Sequence, residues 1–323
     1  MPTLNVVDQM TAVEVSRRGS VPDAFTIIET MAMLNSMLAT LPAVMANDKA
    51  THTRLVRRSY PGGEHRLYNR GVGKKASQTE PVRDIITMLE AFSDVDEALA
   101  KHSGNPVALY NSEASAFLAG MGLDQARDLV YGNHAQVPEE ISGLAVRYPK
   151  LNDHCISFGG TGHDLTSIYL IAAGVNACHL IYPQGSSSVG VQRIDAGIVY
   201  AQDENKKEFR AHRDHFIAEY GISIGHPDAV IRIANIPNNL DKAGRAKLIE
   251  LVLRHQKRLT KGVVNTVLYG NMEMIFQIEQ AGRDAQFVIA HESDIWGRPV
   301  NNINGLRLQQ QDAILSTEDE VAA

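Results

Sequence analysis

The spacing of apolar side chains divides the first part of the chain into a helical segment and an extended ribbon. Apolar residues recur at helical spacing over residues 25–41, behind Asp23 as a capping residue. Two extended runs, residues 52–60 and 64–70, flank the turn sequence Pro61-Gly62-Gly63. Such runs on either side of a glycine-containing turn predict a hairpin.

The pattern beyond the ribbon predicts a helix, then many strands. A helix is expected over residues 112–131, with Gly120 and Gly122 favouring a bend or a tight contact. Short apolar runs with period two predict strands at residues 168–172, 177–182, 189–193, 198–202, 208–218 and 229–234. Two helices, at 241–259 and 271–281, and strands near 287–290 and 300–308 follow. This order predicts an α+β fold with largely antiparallel sheet.

Composition restricts the classes of function. The 323 residues are 44% hydrophobic and 21% charged, which is typical of a globular chain of one or two folding units. The net charge is 31 − 37 = −6, so no overall basic surface exists to hold nucleic acid directly. Two cysteines and no apparent signal sequence or membrane span lead us to expect a reducing compartment, no disulfide, no export and no membrane contact.

Charge changes sign between the ribbon and the segment after it. Seven cations accompany one acid, Glu64, over residues 54–75, whereas residues 84–97 are acidic. An isolated hairpin is marginal in water, so the ribbon needs a partner surface. Complementary charge favours contact between two copies of the chain, with pairing inside one chain as the alternative. The residues predicted at the subunit interface are Arg54, Arg57, Arg58, Pro61, Gly62, Gly63, Arg66, Arg70, Lys74, Lys75, Asp84, Glu90, Asp94, Asp96 and Glu97.

Three groups of residues suggest chemistry, and each has a plainer interpretation. The glycine cluster at residues 159–162 lacks the ending of a phosphate-binding loop and is interpreted as a turn. His154-Cys155 and Cys178-His179 contain zinc-ligand residue types, but adjacent residues on a strand point to opposite faces. We therefore predict no catalytic, cofactor or metal site. The single Trp296 is interpreted as a packing anchor.

The sequence His212-Arg213-Asp214-His215 is the third group. On a strand, His212 and Asp214 share one face, and Arg213 and His215 share the other. A contact between Arg213 and a carboxylate is the favoured interpretation, because no nucleophile motif accompanies the histidines. A hydrolase using His212, Asp214 and His215 is the alternative from a different class of function.

Several stretches, taken in order, resemble a known family. They are FGGTGHDLTSI at residues 158–168, HLIYPQG at 179–185, RDHF at 213–216 and IRIANI at 231–236, with GLAVRY at 143–148, GRPV at 297–300 and DAIL at 312–315. The chain resembles the major capsid proteins of tailed bacteriophages, and within them the coat proteins of short-genome podophages and siphophages. The resemblance extends over about residues 51–315.

The resemblance implies a Hong Kong-97-type capsid fold. Its parts correspond to an N-terminal arm at residues 1–46, an E-loop at 47–82, a peripheral domain with a long spine helix at 83–150 and an axial domain at 151–295. A C-terminal strand and tail, residues 296–323, return to the junction of the peripheral and axial domains. Some such capsids join a lysine to an asparagine covalently, but no acceptor motif here matches Lys74 or Lys75.

The function implied is a major capsid protein that assembles with itself into the icosahedral head enclosing double-stranded phage DNA. Expected partners are other copies in hexamers and pentamers, the portal, scaffolding and decoration proteins, and packaged DNA as a non-specific neighbour. The expected location is the virion, after assembly in the host cytoplasm. An oligomeric ring or tail component is the alternative, besides the hydrolase.

Overall fold

The computed structural model describes residues 35–57, 59–185, 191–202, 205–259, 265–284, 289–293 and 299–322. Its helices are α1 Ser36–Thr40, α2 Glu97–His102, α3 Pro106–Tyr131, α4 Leu144–Arg147, α5 Lys242–Gln256 and α6 Met272–Asp284. Its strands are β1 Ala43–Met45, β2 Thr51–Arg57, β3 Thr79–Ile85, β4 Thr87–Asp96, β5 Cys155–Ser157, β6 Leu165–Ala173, β7 Cys178–Tyr182, β8 Val191–Gln202, β9 Glu208–Ile224, β10 Val230–Pro237, β11 Asn265–Gly270, β12 Ile289–Ser293, β13 Pro299–Ile303 and β14 Leu306–Gln310. This content confirms the α+β class.

The N-terminal helix prediction falls only partly on described residues. Its last turns correspond to α1, where the Asn35 side chain accepts a hydrogen bond from the Met37 amide and caps the helix. Residues 1–34, with Asp23, lie outside the described residues, as do Arg58 and Trp296.

The ribbon has a different pairing from the predicted hairpin. Strand β2 pairs with β3, with Thr51 opposite Ile85 and Arg57 opposite Thr79. Residues 64–70 form no strand, and Pro61-Gly62-Gly63 belongs to a long loop over residues 59–78. The prediction of a tight turn was wrong because the apolar Leu67 and Tyr68 are adjacent, and adjacent side chains on a strand point to opposite faces. Residues 64–70 therefore lack an apolar stripe.

The long helix α3 begins earlier than predicted. Its cap is Asn105, whose side chain accepts a hydrogen bond from the Ala108 amide, and Pro106 occupies the first turn. The helix runs without interruption from Pro106 to Tyr131, through both glycines. A Cβ atom at Gly120 would meet nothing within 4 Å, whereas Gly122 is buried.

Strand β6 lies at the centre of the main sheet, and all of its residues are buried. Strands β10 and β11 run antiparallel along its two sides, and β11 continues through β14 and β13 to β12. The sheet is mixed, since β1 with β7, β5 with β10 and β11 with β14 are parallel pairs.

Strand β9 joins the main sheet to a three-stranded extension. Its last residues pair with β7, and its earlier residues pair with β4 on one side and β8 on the other. Helix α3 packs on the inner face of this extension, where Phe117 stacks against Phe216 with ring centroids 6.1 Å apart. The Tyr220 hydroxyl donates to Asp128 Oδ2 over 2.7 Å.

Two strand boundaries differ from the predictions. The run predicted at 198–202 and the described part of the run predicted at 189–193, residues 191–193, belong to one strand, β8, which has a register shift between Asp195 and Gly197. Residues 189 and 190 lie outside the described residues. The run at 300–308 is instead two strands, β13 and β14, because Asn304 and Gly305 adopt positive φ angles of 52° and 77°. An Asn-Gly pair is a strong hairpin signal, and it explains this division.

The C-terminal segment packs onto the body of the subunit although it is acidic. Glu318 is buried and its carboxylate lies 3.1 Å from Arg232 Nη2, while the Tyr131 hydroxyl of α3 donates to it over 2.5 Å. Cys155 and Cys178 are both buried and free, and burial raises the pKa of Cys178 to about 12. Within the described part of the chain, no helix combines the length and apolar character needed to cross a membrane.

Candidate functional site

The base of the ribbon is held by a buried carboxylate. Asp84 on β3 is 2% exposed, with Oδ2 lying 3.2 Å from Arg54 Nε on β2 and Oδ1 lying 2.9 Å from Arg147 Nη1 on α4. Arg147 also donates to the carbonyls of Ser142 and Ile222 over 2.7 and 3.0 Å. One side chain of the ribbon is thereby fixed to the body of the subunit.

Two of the residues predicted at the subunit interface contact each other within one chain. Arg54 and Asp84 were expected on a surface shared with another copy, but they pair with each other inside one chain. They pair because they are diagonal neighbours on paired strands: His52 is opposite Asp84, and Arg54 is opposite Val82. For this pair, the structure shows the contact within one chain that was the alternative interpretation.

The other predicted acidic residues also have partners in their own chain. Asp94 forms two hydrogen bonds with Arg213, of 2.6 and 2.5 Å, and Glu90 lies 3.3 Å from His215. Glu97 contacts Lys101 and Arg210 at 2.7 and 3.2 Å. Asp96 caps α2 by accepting from the Ala98 amide over 2.7 Å. The favoured Arg213–carboxylate contact is therefore present.

The loop at residues 59–78 carries most of the predicted basic residues, and residues 60–78 are exposed throughout. Lys75 pairs with Glu64 at 2.8 Å, whereas Arg66, Arg70 and Lys74 form no ion pair with any residue that the structure describes. Arg57, at the end of β2, is exposed as well. These cations were predicted to lie on one ribbon. In the structure they lie on the exposed loop and at the adjoining end of β2.

Large apolar side chains accompany the cations. Leu67 and Tyr68 at the far part of the loop are 67% and 95% exposed, and Leu55 and Tyr60 nearer its base are each 71% exposed. Sequence reasoning singled out the charges and missed these four residues. The sequence does contain a signal for them. Leu67 and Tyr68 are large apolar residues within a cationic, glycine-containing segment that has no regular apolar spacing and therefore no predicted buried face.

Two histidines lie beside the buried carboxylate at the ribbon base. The rings of His52 on β2 and His179 on β7 meet edge to face, with centroids 6.0 Å apart. Burial lowers the pKa of His179 to about 4, and the nearby His52 and Arg54 act in the same direction. Burial also lowers the pKa of His52, against the opposing influence of Asp84.

The three residues of the alternative hydrolase site do not converge. His212 and Asp214 face helix α3, where the His212 ring stacks on Tyr110 with centroids 4.2 Å apart. His215 lies on the opposite face of β9, stacked on Phe92 at 4.3 Å. The expected division of faces is confirmed, and it separates His215 from the other two residues.

The glycine cluster forms a turn before β6, as predicted. Gly159 and Gly162 have φ angles of 105° and 103°, and a Cβ at Gly160 would lie 2.6 Å from the Asn235 carbonyl oxygen. Lys247 Nζ donates to the Phe158 carbonyl over 2.6 Å. These contacts explain the glycines by backbone geometry.

The Cys-His pairs do not form a cluster of ligands. Among the described residues, one group of three His, Cys, Asp or Glu side chains has its ligand atoms close together, and it consists of Asp195, His212 and Asp214. His154 contacts Asp228 instead, at 3.0 Å.

Comparison with known proteins adds a family match. The model of the family Major capsid protein GP7 matches residues 20–322. A chain from the cryo-EM structure of bacteriophage Epsilon15 is 26% identical, with a TM-score of 0.64 and 90% of each chain covered. The capsid of bacteriophage JBD30 is 9% identical, with a TM-score of 0.49, covering 86% of this chain and 90% of that one. No curated protein sequence matches the chain.

Proposed function

Because this chain belongs to the family of Major capsid protein GP7, we propose that its ribbon loop connects neighbouring copies in the icosahedral head of a tailed phage. The fold is that of phage capsid subunits, as the resemblance implied. The chain is a structural protein of the virion and assembles with itself into a shell.

The observation that carries the proposal is the exposed loop at residues 59–78, with its exposed tyrosines, leucine and cations. Burying one large apolar side chain contributes roughly 1.5–3 kcal/mol, whereas an exposed charge pair contributes about 0–1 kcal/mol. Leu67 and Tyr68 therefore supply most of the contact energy in this proposal, and Arg66 and Arg70 supply orientation. A closed shell repeats each contact in every copy.

The wider arrangement follows from the family and stays part of the proposal. Residues 1–46 would act as an arm, 47–82 as the E-loop, 83–150 as the peripheral domain, 151–295 as the axial domain and 296–323 as the returning tail. Copies would form hexamers and pentamers in the host cytoplasm, with a portal and with scaffolding or decoration proteins. Packaged double-stranded DNA would be a non-specific neighbour, since a net charge of −6 opposes tight binding of phosphate to the wall.

The experiment separates the apolar and the charged contributions of the loop. One variant carries Leu67→Ser with Tyr68→Ser, and a second carries Arg66→Glu with Arg70→Glu. The control, Lys242→Glu with Lys257→Glu, makes the same change in charge at two exposed lysines on and beside α5. Particles are counted by negative-stain electron microscopy after expression, and circular dichroism checks that the subunits are folded.

We expect folded subunits without shells from the Leu67/Tyr68 variant, fewer shells from the arginine variant, and normal shells from the control. Shells of normal number and size from both loop variants would show that the loop is not a principal contact. If the unchanged chain formed only closed rings of a few to a dozen copies, it would be a ring component instead.

A further inference from the structure

A group of three potential metal ligands lies at the outer part of the three-stranded extension. His212 Nε2 on β9 is 3.5 Å from Asp195 Oδ1 on β8 and 3.9 Å from Asp214 Oδ1 on β9. The three ligand atoms all lie within 4.8 Å of one another. Three donors that share a metal at about 2.0–2.2 Å stand roughly 3–4 Å apart, so small side-chain shifts would bring them into coordination.

A buried oxygen without a partner points into this group. Asp214 is 2% exposed, and its Oδ2 accepts a hydrogen bond of 2.7 Å from Arg193 Nη2. Its Oδ1 is buried and has no hydrogen-bond partner, although it faces His212. A buried carboxylate oxygen is costly to leave unsatisfied, so its orientation toward a second carboxylate and an imidazole needs a reason.

The backbone of β8 places the third ligand. Asp195 stands directly opposite Asp214 in the β8–β9 pair, and the register shift follows at once, with Gly197 at a φ of 68°. Asp195 Oδ1 accepts from the Gly197 amide over 2.7 Å, which fixes its carboxylate at the bulge. Like charges directly opposite each other destabilise a strand pair, and a cation between them removes that cost.

The surroundings hold the imidazole and leave an entry path. The Tyr110 ring of α3 stacks on His212 at an interplanar angle of 21°, which fixes the ring plane. Arg193 balances one of the two carboxylates, so the group keeps a net negative charge when His212 is neutral. The Asp195 side chain is 66% exposed, so solvent reaches the open side of the group.

We propose that Asp195, His212 and Asp214 bind a divalent transition-metal ion, with Zn²⁺ as the best match to one imidazole and two carboxylates. Imidazole disfavours Mg²⁺ and Ca²⁺, which prefer oxygen ligands alone. The ion would join β8 to β9 across the bulge and leave its remaining position to water. His215 would not be a ligand, since it lies on the other face of the sheet, stacked on Phe92.

The test uses the full chain after treatment with a chelator and dialysis. Zn²⁺ affinity and stoichiometry are measured by competition with a chromophoric indicator, and Co²⁺ is added separately to record its visible absorption bands. The two site variants are Asp195→Asn, which changes an exposed side chain, and His212→Phe, which removes the ligand nitrogen but keeps a ring against Tyr110. The control is Asp319→Asn, in an exposed pair with His163 at 2.6 Å.

We expect about one Zn²⁺ per chain, with an affinity lowered at least about tenfold in both site variants and unchanged in the control. Co²⁺ should give visible bands with the unchanged chain and the control only. Binding of less than about a tenth of an ion per chain overturns the proposal. Equal affinities in the Asp195→Asn variant and the control overturn it as well.

Discussion

Replacing Asp84 by asparagine tests whether one carboxylate fixes the ribbon to the subunit. The substitution keeps the shape of the side chain and removes its charge, leaving Arg54 and Arg147 close together without a counter-ion. Both guanidinium groups are largely enclosed, with exposed fractions of 14% and 20% for their side chains. Arg147 keeps its two carbonyl acceptors, so the greater loss falls on Arg54.

The magnitude follows from the burial of the three groups. Removing one member of a buried ion pair costs about 3–5 kcal/mol, because the remaining charge is left without compensation. Two factors place the expected loss near the lower limit of this range. Both arginines have partial access to solvent, and the asparagine oxygen retains one hydrogen bond, worth about 1 kcal/mol. We expect the free energy of unfolding to fall by about 3 kcal/mol.

Urea unfolding of the unassembled subunit, followed by circular dichroism, measures this loss. The matched control is Glu64→Gln, which removes a carboxylate from the exposed pair with Lys75, where about 0–1 kcal/mol is expected. Limited proteolysis should also cut residues 59–78 faster in the Asp84→Asn variant. The reasoning fails if the two variants differ by less than about 1 kcal/mol.

Two further predictions concern the ribbon base and the C-terminal segment. The pKa of His179 is about 4 in the folded chain, against an ordinary value of 6.5. Between pH 6.5 and pH 4 this histidine therefore binds a proton in the unfolded chain but not in the folded one, and stability is lost as the pH falls. The free energy of unfolding should therefore drop by about 2 kcal/mol more between pH 7 and pH 5 than it does in His179→Phe, and equal slopes would contradict this. Glu318→Ala, which leaves the buried Arg232 without its carboxylate, should lower the unfolding free energy by about 3–5 kcal/mol. The neighbouring Asp319→Ala, at a side chain that is 84% exposed, should have little effect in the same urea titration.

Local patterns predicted the elements well where one face of an element is buried. Strand β6, helix α5 with its Asp241 cap and helix α6 with its Asn271 cap lie where the apolar spacing placed them. The pairing of β2 with β3 was missed because the charged sequence around Pro81 does not read as a strand, and its partner lies beyond a loop of twenty residues. Strand β3 is also held by the contact of its Asp84 with Arg147, and no local sequence pattern predicts a contact between residues so far apart in the chain.

The sequence identified the charged residues at the candidate site but not all of the contacts that they form. The cations of the ribbon were recognised, whereas the acids were assigned to a neighbouring subunit because their partners are distant in sequence. Asp94 meets Arg213 only through the register of β4 on β9, which depends on tertiary packing. Only part of the group of Asp195, His212 and Asp214 could be predicted from the sequence. The placement of His212 and Asp214 on one face of a strand was predicted, whereas the bulge and the strand pairing that bring Asp195 beside them were not.

The use of the acidic residues inside one chain changes what the ribbon needs from a neighbour. Because Asp84, Asp94 and Glu97 have cationic partners in their own chain, they offer the loop of another subunit only a partly neutralised surface. The exposed apolar residues then become the stronger source of contact, because burial of Leu67 and Tyr68 does not depend on a free charge. Such contacts weaken little with salt, whereas exposed ion pairs are screened over about 8–10 Å. A shell held mainly by the apolar part of the loop should therefore keep its assembly yield in high salt, and a shell held by charge should lose it.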